Sequence, residues 1–267
     1  MHESLTHSES WLHKINPSFK LIILTLLFIF GILIHNVNFM ISFTIVTSIL
    51  FLFFTGHSFK RIILFSLPFI IIFLSTSSSM IFFGEGNKLL FSWGLVHITE
   101  ESLYRGIHLG FRALSFAMLG LTFALTTRPV YLFYSLMQQL HLKPKYAYSF
   151  MAAVRLLPIM IEEFQTIRYA QKVRGVNSPN GLVGYFKMIQ SLMIPLLSQS
   201  IRRAFRIAVA MEAKRFNNNS KRTFYYQIGF SKFDLLFLAY FVICIGLAYF
   251  AAIEYPLFPS TDVRQLN

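Results

Sequence analysis

From Leu21 to Phe59 the chain reads LIILTLLFIF GILIHNVNFM ISFTIVTSIL FLFFTGHSF, without one charged side chain. Its 39 residues are enough for two membrane spans of roughly 20 residues each. The polar break His35-Asn36-Val37-Asn38 separates them. The flanks are basic: Lys14 and Lys20 before, Lys60 and Arg61 after. A third uncharged stretch runs from Ile62 to Gly84. The spans are therefore expected at about 19–35, 37–55, 62–83, 106–126 and 235–253. Residues 84–104 read as a short hairpin or interfacial segment, with Trp93 at headgroup depth.

Composition agrees with a membrane protein. The chain is 55% hydrophobic and 13% charged, with 31 Phe, where a soluble domain carries about 25% charged residues. The fold class is all-α, a polytopic membrane protein with about five transmembrane helices. One cysteine, Cys244, offers no disulfide framework and suggests no thiol or metal chemistry. The first 20 residues are polar and no small-x-small exit site follows, so the first apolar run reads as an uncleaved span.

Sixteen of the 24 Lys and Arg residues lie between Arg128 and Lys232, against only Glu162, Glu163 and Glu212. That stretch carries +13, the formal net charge of the whole chain. A basic region of this length inside a membrane protein reads as cytoplasmic and is too long for a connector. Three parts follow: 1–127 with four spans and an external segment 84–104, a cytoplasmic region 128–232, and 233–267 with the last span and tail. Five spans with the N-terminus inside put every basic cluster on one side.

The basic region contains two helix-like patterns. In the first, about 149–174, Phe150, Val154, Leu157, Ile161 and Phe164 recur at three and four residues. Gly175 then stands where a helix C-cap belongs, followed by Asn177-Ser178-Pro179-Asn180-Gly181. In the second, about 189–215, Leu197, Ile201, Ala204, Ala208 and Met211 form one stripe, with Arg202, Arg203 and Arg206 elsewhere. Small residues at 204 and 208 suit a close helix crossing. Glu162 and Glu163 read as a solvated face. The two patterns end alike, in Ala170-Gln171-Lys172-Val173-Arg174-Gly175 and Ala210-Met211-Glu212-Ala213-Lys214-Arg215. Either end alone is explained by compensation of the helix dipole, about 0.3–1 kcal/mol per cation. Two such ends on adjacent helices read instead as docking tips for partner grooves.

At these residues the chain resembles the transmembrane (T) component of energy-coupling factor (ECF) ABC-type transporters, the EcfT/CbiQ-like family. The match rests on Arg155-Leu156-Leu157-Pro158, Glu162-Glu163 and Ile167 to Gly175, then on Pro195-Leu196-Leu197, Ser200, Arg203-Ala204 and Ala210 to Ala213. Asn16-Pro17-Ser18-Phe19-Lys20-Leu21 is similar to the family's Asp-Pro-x-x-Lys-Leu entry to span one, and Thr126-Thr127-Arg128-Pro129 to its exit from span four. The resemblance implies two crossing coupling helices, each ending in an Ala-Arg-Gly-like tip that docks on one of two ABC ATPase subunits, identical or paralogous. It also implies a small membrane substrate-binding (S) subunit that captures a vitamin or a metal ion such as cobalt. The implied docking residues are Val173, Arg174 and Gly175 at one tip and Ala213, Lys214 and Arg215 at the other. Here Val173 replaces Ala, Lys214 the tip arginine and Arg215 the glycine, so either Lys214 or Arg215 can be the docking cation.

Arg112 is the one cation inside an expected span. It either snorkels to the interface or contacts the substrate-binding subunit or the bundle. Pro68, Pro158 and Pro195 read as kinks. The chain's His residues are scattered; His2, His7 and His13 meet a metal only opportunistically. No glycine is followed by lysine, so no P-loop exists, and if transport is ATP-driven the ATPase is another chain. An autonomous secondary transporter of a small solute, the alternative class, usually has ionisable groups deep in several spans. A membrane enzyme wants clustered His, Asp or Glu, whereas the acids here are dispersed. The chain is therefore expected to be a non-enzymatic coupling subunit of the cell membrane, with no cofactor, no catalytic residue and no nucleic-acid partner.

Overall fold

The computed structural model describes residues 10–93, 96–175, 181–216, 223–258 and 262. After a 3-10 turn, Trp11–Lys14, come α1 (Pro17–Leu33), α2 (Val37–Phe54) and α3 (Phe59–Phe83). A hairpin follows, β1 (Leu89–Trp93) and β2 (Val96–Thr99), then α4 (Glu100–Thr126), α5 (Pro129–Gln139), α6 (Pro144–Val173), α7 (Gly181–Ala213) and α8 (Lys232–Glu254). The fold is all-α apart from the hairpin.

The helix starts are written in the sequence. Asn36, in the polar break, caps α2 by accepting the Phe39 N–H. Thr99 and Ser102 form a capping box at α4, and Ser231 and Asp234 another at α8. The Thr99 box starts α4 at Glu100, ahead of the expected 106. α2, α3, α4 and α8 are long and apolar enough to cross a membrane, and α1 is apolar over 17 residues, the short end of the spanning range of about 17–25. Residues 84–104 hold the expected hairpin, antiparallel with Phe91 opposite Ile98 and Ser92 opposite His97. The Trp93 side chain lies outside the described residues, as do His2, His7 and 177–180.

The chain divides into two compact units, 1–135 with 228–267, and 136–227. In the first, Phe43, Phe51, Phe237 and Phe241 are fully buried with Met40 and Leu119. Phe237 and Phe241 meet edge to face at 5.1 Å, a preferred aromatic arrangement. Hydroxyl groups among them find backbone acceptors, as an apolar surrounding demands. Thr44 Oγ1 donates to the carbonyls of Met40 (2.7 Å) and Phe111 (3.0 Å), and Tyr240 Oη to that of Val46 (2.9 Å). Gly106 and Gly110 let α4 lie close against α3. A Cβ at Gly106 would meet Ile81 Cγ1 at 2.4 Å and the Ser77 carbonyl at 2.9 Å, the close approach that small residues four apart allow.

In the second unit, α6 and α7 are antiparallel. Their contacts pair Gln171 with Ser191, Met160 with Ser200, Glu163 with Arg203, and Tyr148 with Phe216. Sequence separation shrinks toward the connecting loop, as in a hairpin. The covered faces are not the expected stripes. Leu157, Ile161, Leu197 and Ile201 are exposed, at 56–68%, and so are Ala204 and Ala208. The more covered positions are Leu156, Met160, Glu163 and Ile167 on α6, and Leu196, Ser200, Arg203 and Ile207 on α7. Arg203, expected to point away, faces α6. Apolar periodicity locates a stripe but not whether the neighbouring helix covers it.

Candidate functional site

The ends of α6 and α7 have the same backbone construction. At the first, Arg174 N–H donates to the Ala170 carbonyl and Gly175 N–H to that of Lys172. At the second, Lys214 N–H donates to Ala210 and Arg215 N–H to Glu212. Gly175 has φ +74° and Arg215 φ 54°, the left-handed conformation that terminates helices. Lys214 therefore occupies the place of Arg174, and Arg215 that of Gly175. Glycine adopts this conformation freely, whereas an arginine there is strained. Val173, Arg174, Gly175, Ala213, Lys214 and Arg215 are all exposed.

The two ends are not brought together. Because the helices are antiparallel, the Arg174 end and the Lys214 end lie at opposite ends of the hairpin. Tyr148, beside Phe216, is separated from Arg174 by about 39 Å of helix at 1.5 Å per residue. Between the ends, Arg203 and Glu163 form an ion pair. Glu163 is thus not part of a solvated face, whereas Glu162 is exposed. A partner forty residues away has no signature in local sequence.

A second polar assembly lies in the other unit, built from the Asn16-Pro17-Ser18-Phe19-Lys20 run. Asn16 caps α1, its Oδ1 accepting the N–H groups of Ser18 (3.1 Å) and Phe19 (3.4 Å). The same oxygen accepts the Ser135 hydroxyl at 2.7 Å, and Asn16 Nδ2 donates to the Gly229 carbonyl at 3.2 Å. Asn16 N–H donates to Asp234 Oδ1 at 2.7 Å. Lys20 is 1% exposed. Its Nζ donates to the Leu12 carbonyl (2.6 Å), to Thr126 Oγ1 (2.9 Å) and to the Thr126 carbonyl (3.4 Å). The cation thus compensates the carbonyl end of α4. The sequence marks Lys20 as a basic flank of span one; its burial comes from partners distant in sequence, Leu12 in the turn and Thr126 at the end of α4.

Arg112 lies about three turns into α4. Its guanidinium donates to the Ile34 carbonyl, at the C-terminal end of α1, at 2.6 Å. His108 Nε2 lies 3.2 Å from the same oxygen. The cation is held within the bundle. Among the described residues, no group of three His, Cys, Asp or Glu could hold a metal ion; His13 Nδ1 instead accepts the Ser10 N–H.

A family model described as cobalt transport protein matches residues 8–226. Over 251 residues the chain is 28% identical to the "Energy-coupling factor transporter transmembrane protein EcfT" of Lactobacillus helveticus (strain DPC 4571), across 90% of this chain and 89% of that protein. It is 30% identical to the protein of that name from Streptococcus equi subsp. equi (strain 4047) over 193 residues, 68% of this chain and 71% of that one. To the one from Streptococcus thermophilus (strain ATCC BAA-250 / LMG 18311) it is 28% identical over 252 residues, 91% and 94% of the two chains.

Proposed function

The chain belongs to the cobalt transport protein family and is the transmembrane component of an energy-coupling factor importer, and on that premise we propose that the α6–α7 hairpin is its coupling device. Each exposed end docks on one of two ABC ATPase subunits. The apolar helices of the other unit hold a small membrane substrate-binding subunit, whose chemistry selects a vitamin or a metal ion. The N-terminus and the hairpin are cytoplasmic.

One observation carries this reading. Two helix ends of identical backbone construction, each with an exposed cation at the cap, lie at opposite ends of one antiparallel hairpin. A single docking point would need one such end. Two ends some 39 Å of helix apart suit two partner subunits side by side. Val173, 87% exposed beside Arg174, adds an apolar anchor next to a charged one, the pairing expected of a docking residue in a groove.

Lys214, not Arg215, is the docking cation at the second end, because it stands where Arg174 stands. The left-handed backbone of Arg215 serves to stop the helix. An ammonium lacks the planar fork of a guanidinium, so the second groove is expected to hold a point charge, and the two ends to prefer different grooves.

The test is co-purification. The full chain is expressed with two candidate ABC ATPases and a candidate substrate-binding subunit, then captured by a tag on the chain. Both ATPases are expected in the captured complex. Complexes that assemble undiminished when Arg174 and Lys214 are both changed to Glu would overturn the docking assignment.

A further inference from the structure

We infer that the hairpin β1–β2 seats in the membrane–water boundary at the end of α3, with phospholipid as the partner of its exposed apolar side chains. Residues 62–83 carry no charge and extend about 33 Å at 1.5 Å per residue, close to the roughly 30 Å of a hydrocarbon core. Lys60 and Arg61 stand at one end of that length, so Phe82 and Phe83 reach the boundary at the other.

The hairpin is tied to the same level. Ser102 Oγ donates to the Ile81 carbonyl at 3.1 Å, which sets the start of α4 against the last turn of α3. The Lys88 carbonyl accepts the Glu100 N–H at 2.9 Å, and the Lys88 N–H donates to the Glu101 carboxylate at 3.3 Å. Gly86 permits this closure, since a Cβ there would collide with the side chains of Thr99 and Glu101. Phe82, Phe83, Leu89 and His97 line one crevice. The strands therefore lie beside the last turn of α3 instead of standing away from it.

Two opposite demands meet there. Leu89, Leu90 and Phe91 are exposed, as are Phe82 and Phe83, at 40–70%. A cluster of large apolar side chains calls for an apolar partner. The backbone calls for water, because a sheet of only two strands has an open edge on each side and hydrocarbon cannot satisfy unpaired N–H and C=O groups. Lys88 and Glu100, paired at 3.5 Å, add charge at the same level. The boundary meets both demands, with acyl chains on one side and hydrated headgroups on the other. Lipid is the occupant because α3, of the four helices long and apolar enough to span, has the smallest buried share. The helix that the hairpin flanks is thus itself the one most open to acyl chains.

The chain has two tryptophans. Changing Trp11→Phe and Trp93→Phe, and then Phe91→Trp, leaves one reporter on the hairpin; Leu90→Trp in the same background is a second, should the first fail to fold. Each full-length variant is reconstituted in phosphatidylcholine vesicles, and its fluorescence is quenched by phosphatidylcholines brominated at acyl carbons 6,7 or 11,12 and, separately, by aqueous iodide. Lipid brominated at 6,7 is expected to quench by about half or more and to exceed the 11,12 lipid about twofold, with iodide about fivefold less effective than on free tryptophan amide, as for a side chain at headgroup depth. Stronger quenching by the 11,12 lipid would put the hairpin in the hydrocarbon and overturn the proposal. Iodide quenching without lipid quenching would put it in water, and protection from both quenchers would mean that a protein surface covers it; either result also overturns it.

Discussion

Glu163 on α6 and Arg203 on α7, forty residues apart in sequence, form an ion pair across the hairpin. Their side chains are 19% and 27% exposed, so the pair is largely removed from water. It fixes the register of two helices whose remaining contacts include weak ones, such as the Ser200 hydroxyl against the Met160 sulfur at 3.3 Å. A pair in that position holds the two ends of the hairpin at a set separation.

Removing one partner leaves the other desolvated and unpaired. Glu163→Ala is expected to destabilise by about 1–3 kcal/mol, less than the 3–5 typical of a fully buried pair. The exchange Glu163→Arg with Arg203→Glu is expected to recover most of the loss. A double-mutant cycle on the thermal unfolding of the purified chain measures it, and a coupling energy near zero would contradict the brace.

At the tips, Arg174→Glu and Lys214→Glu are each expected to weaken ATPase retention about 30-fold or more, the equivalent of the 2 kcal/mol lower bound for a disrupted charged contact. Arg215→Glu is expected to cost clearly less than Lys214→Glu. Retention after tagged capture, followed at several salt concentrations, ranks the variants; equal losses at 214 and 215 would return the assignment to either residue.

Arg215 and Gly175 share a left-handed backbone, but only one of them is a glycine. Arg215→Gly is expected to stabilise the end of α7 by about 1 kcal/mol, and Gly175→Val to destabilise the end of α6 by about 1–2 kcal/mol. Amide hydrogen exchange over the last turn of each helix reads both effects. Faster exchange at the 211–214 amides in Arg215→Gly would contradict the first.

Lys20→Met leaves the Leu12 carbonyl and the Thr126 oxygens without their shared donor. A loss of about 2–4 kcal/mol is expected from the unsatisfied acceptors. Asn16→Ala removes the α1 cap, worth about 1 kcal/mol, together with the bonds to Ser135 and Gly229. It is expected to be at least as damaging. Thermal melting in detergent measures both, and a shift of under a degree in each would show the assembly to be dispensable.

Reporter fusions address topology. One after Gly181 is expected to read cytoplasmic and one at Asn87 external, since an odd number of crossings separates them in a five-span chain. The same side for both would remove a span from the count.

Spans, hairpin and long helices were legible because each has a strong local signature: uncharged length for α2, α3 and α8, turn and β-rich composition for 89–99, and a terminating glycine at 175. What escaped was set by distance in the chain or by the absence of water. α5 has a fainter signature: Pro129 stands at its first position, but Thr126-Thr127-Arg128-Pro129 reads as the exit from a span. The Gly106 and Gly110 contact with Ser77 needed α3 laid against α4. The stripes through Leu157 and Leu197 are not the covered faces of α6 and α7, since apolar periodicity locates a stripe without saying which helix, if any, covers it. The proposal of Lys214 over Arg215 rests on a backbone angle that side-chain chemistry does not encode.

The side chain of Asn16 bonds to Ser135, just before the segment 136–227, and to Gly229, just after it. The segment therefore leaves and rejoins the bundle through a single amide, an insertion whose two ends are already closed. Tethered in this way, its length costs the rest of the protein little entropy, because loop closure grows only as the logarithm of length. The hairpin can thus lengthen, shorten or be exchanged for another between the same two attachment points while the helices on either side keep their packing. Such an arrangement lets the part proposed to meet the ATPases diverge at a different pace from the apolar bundle.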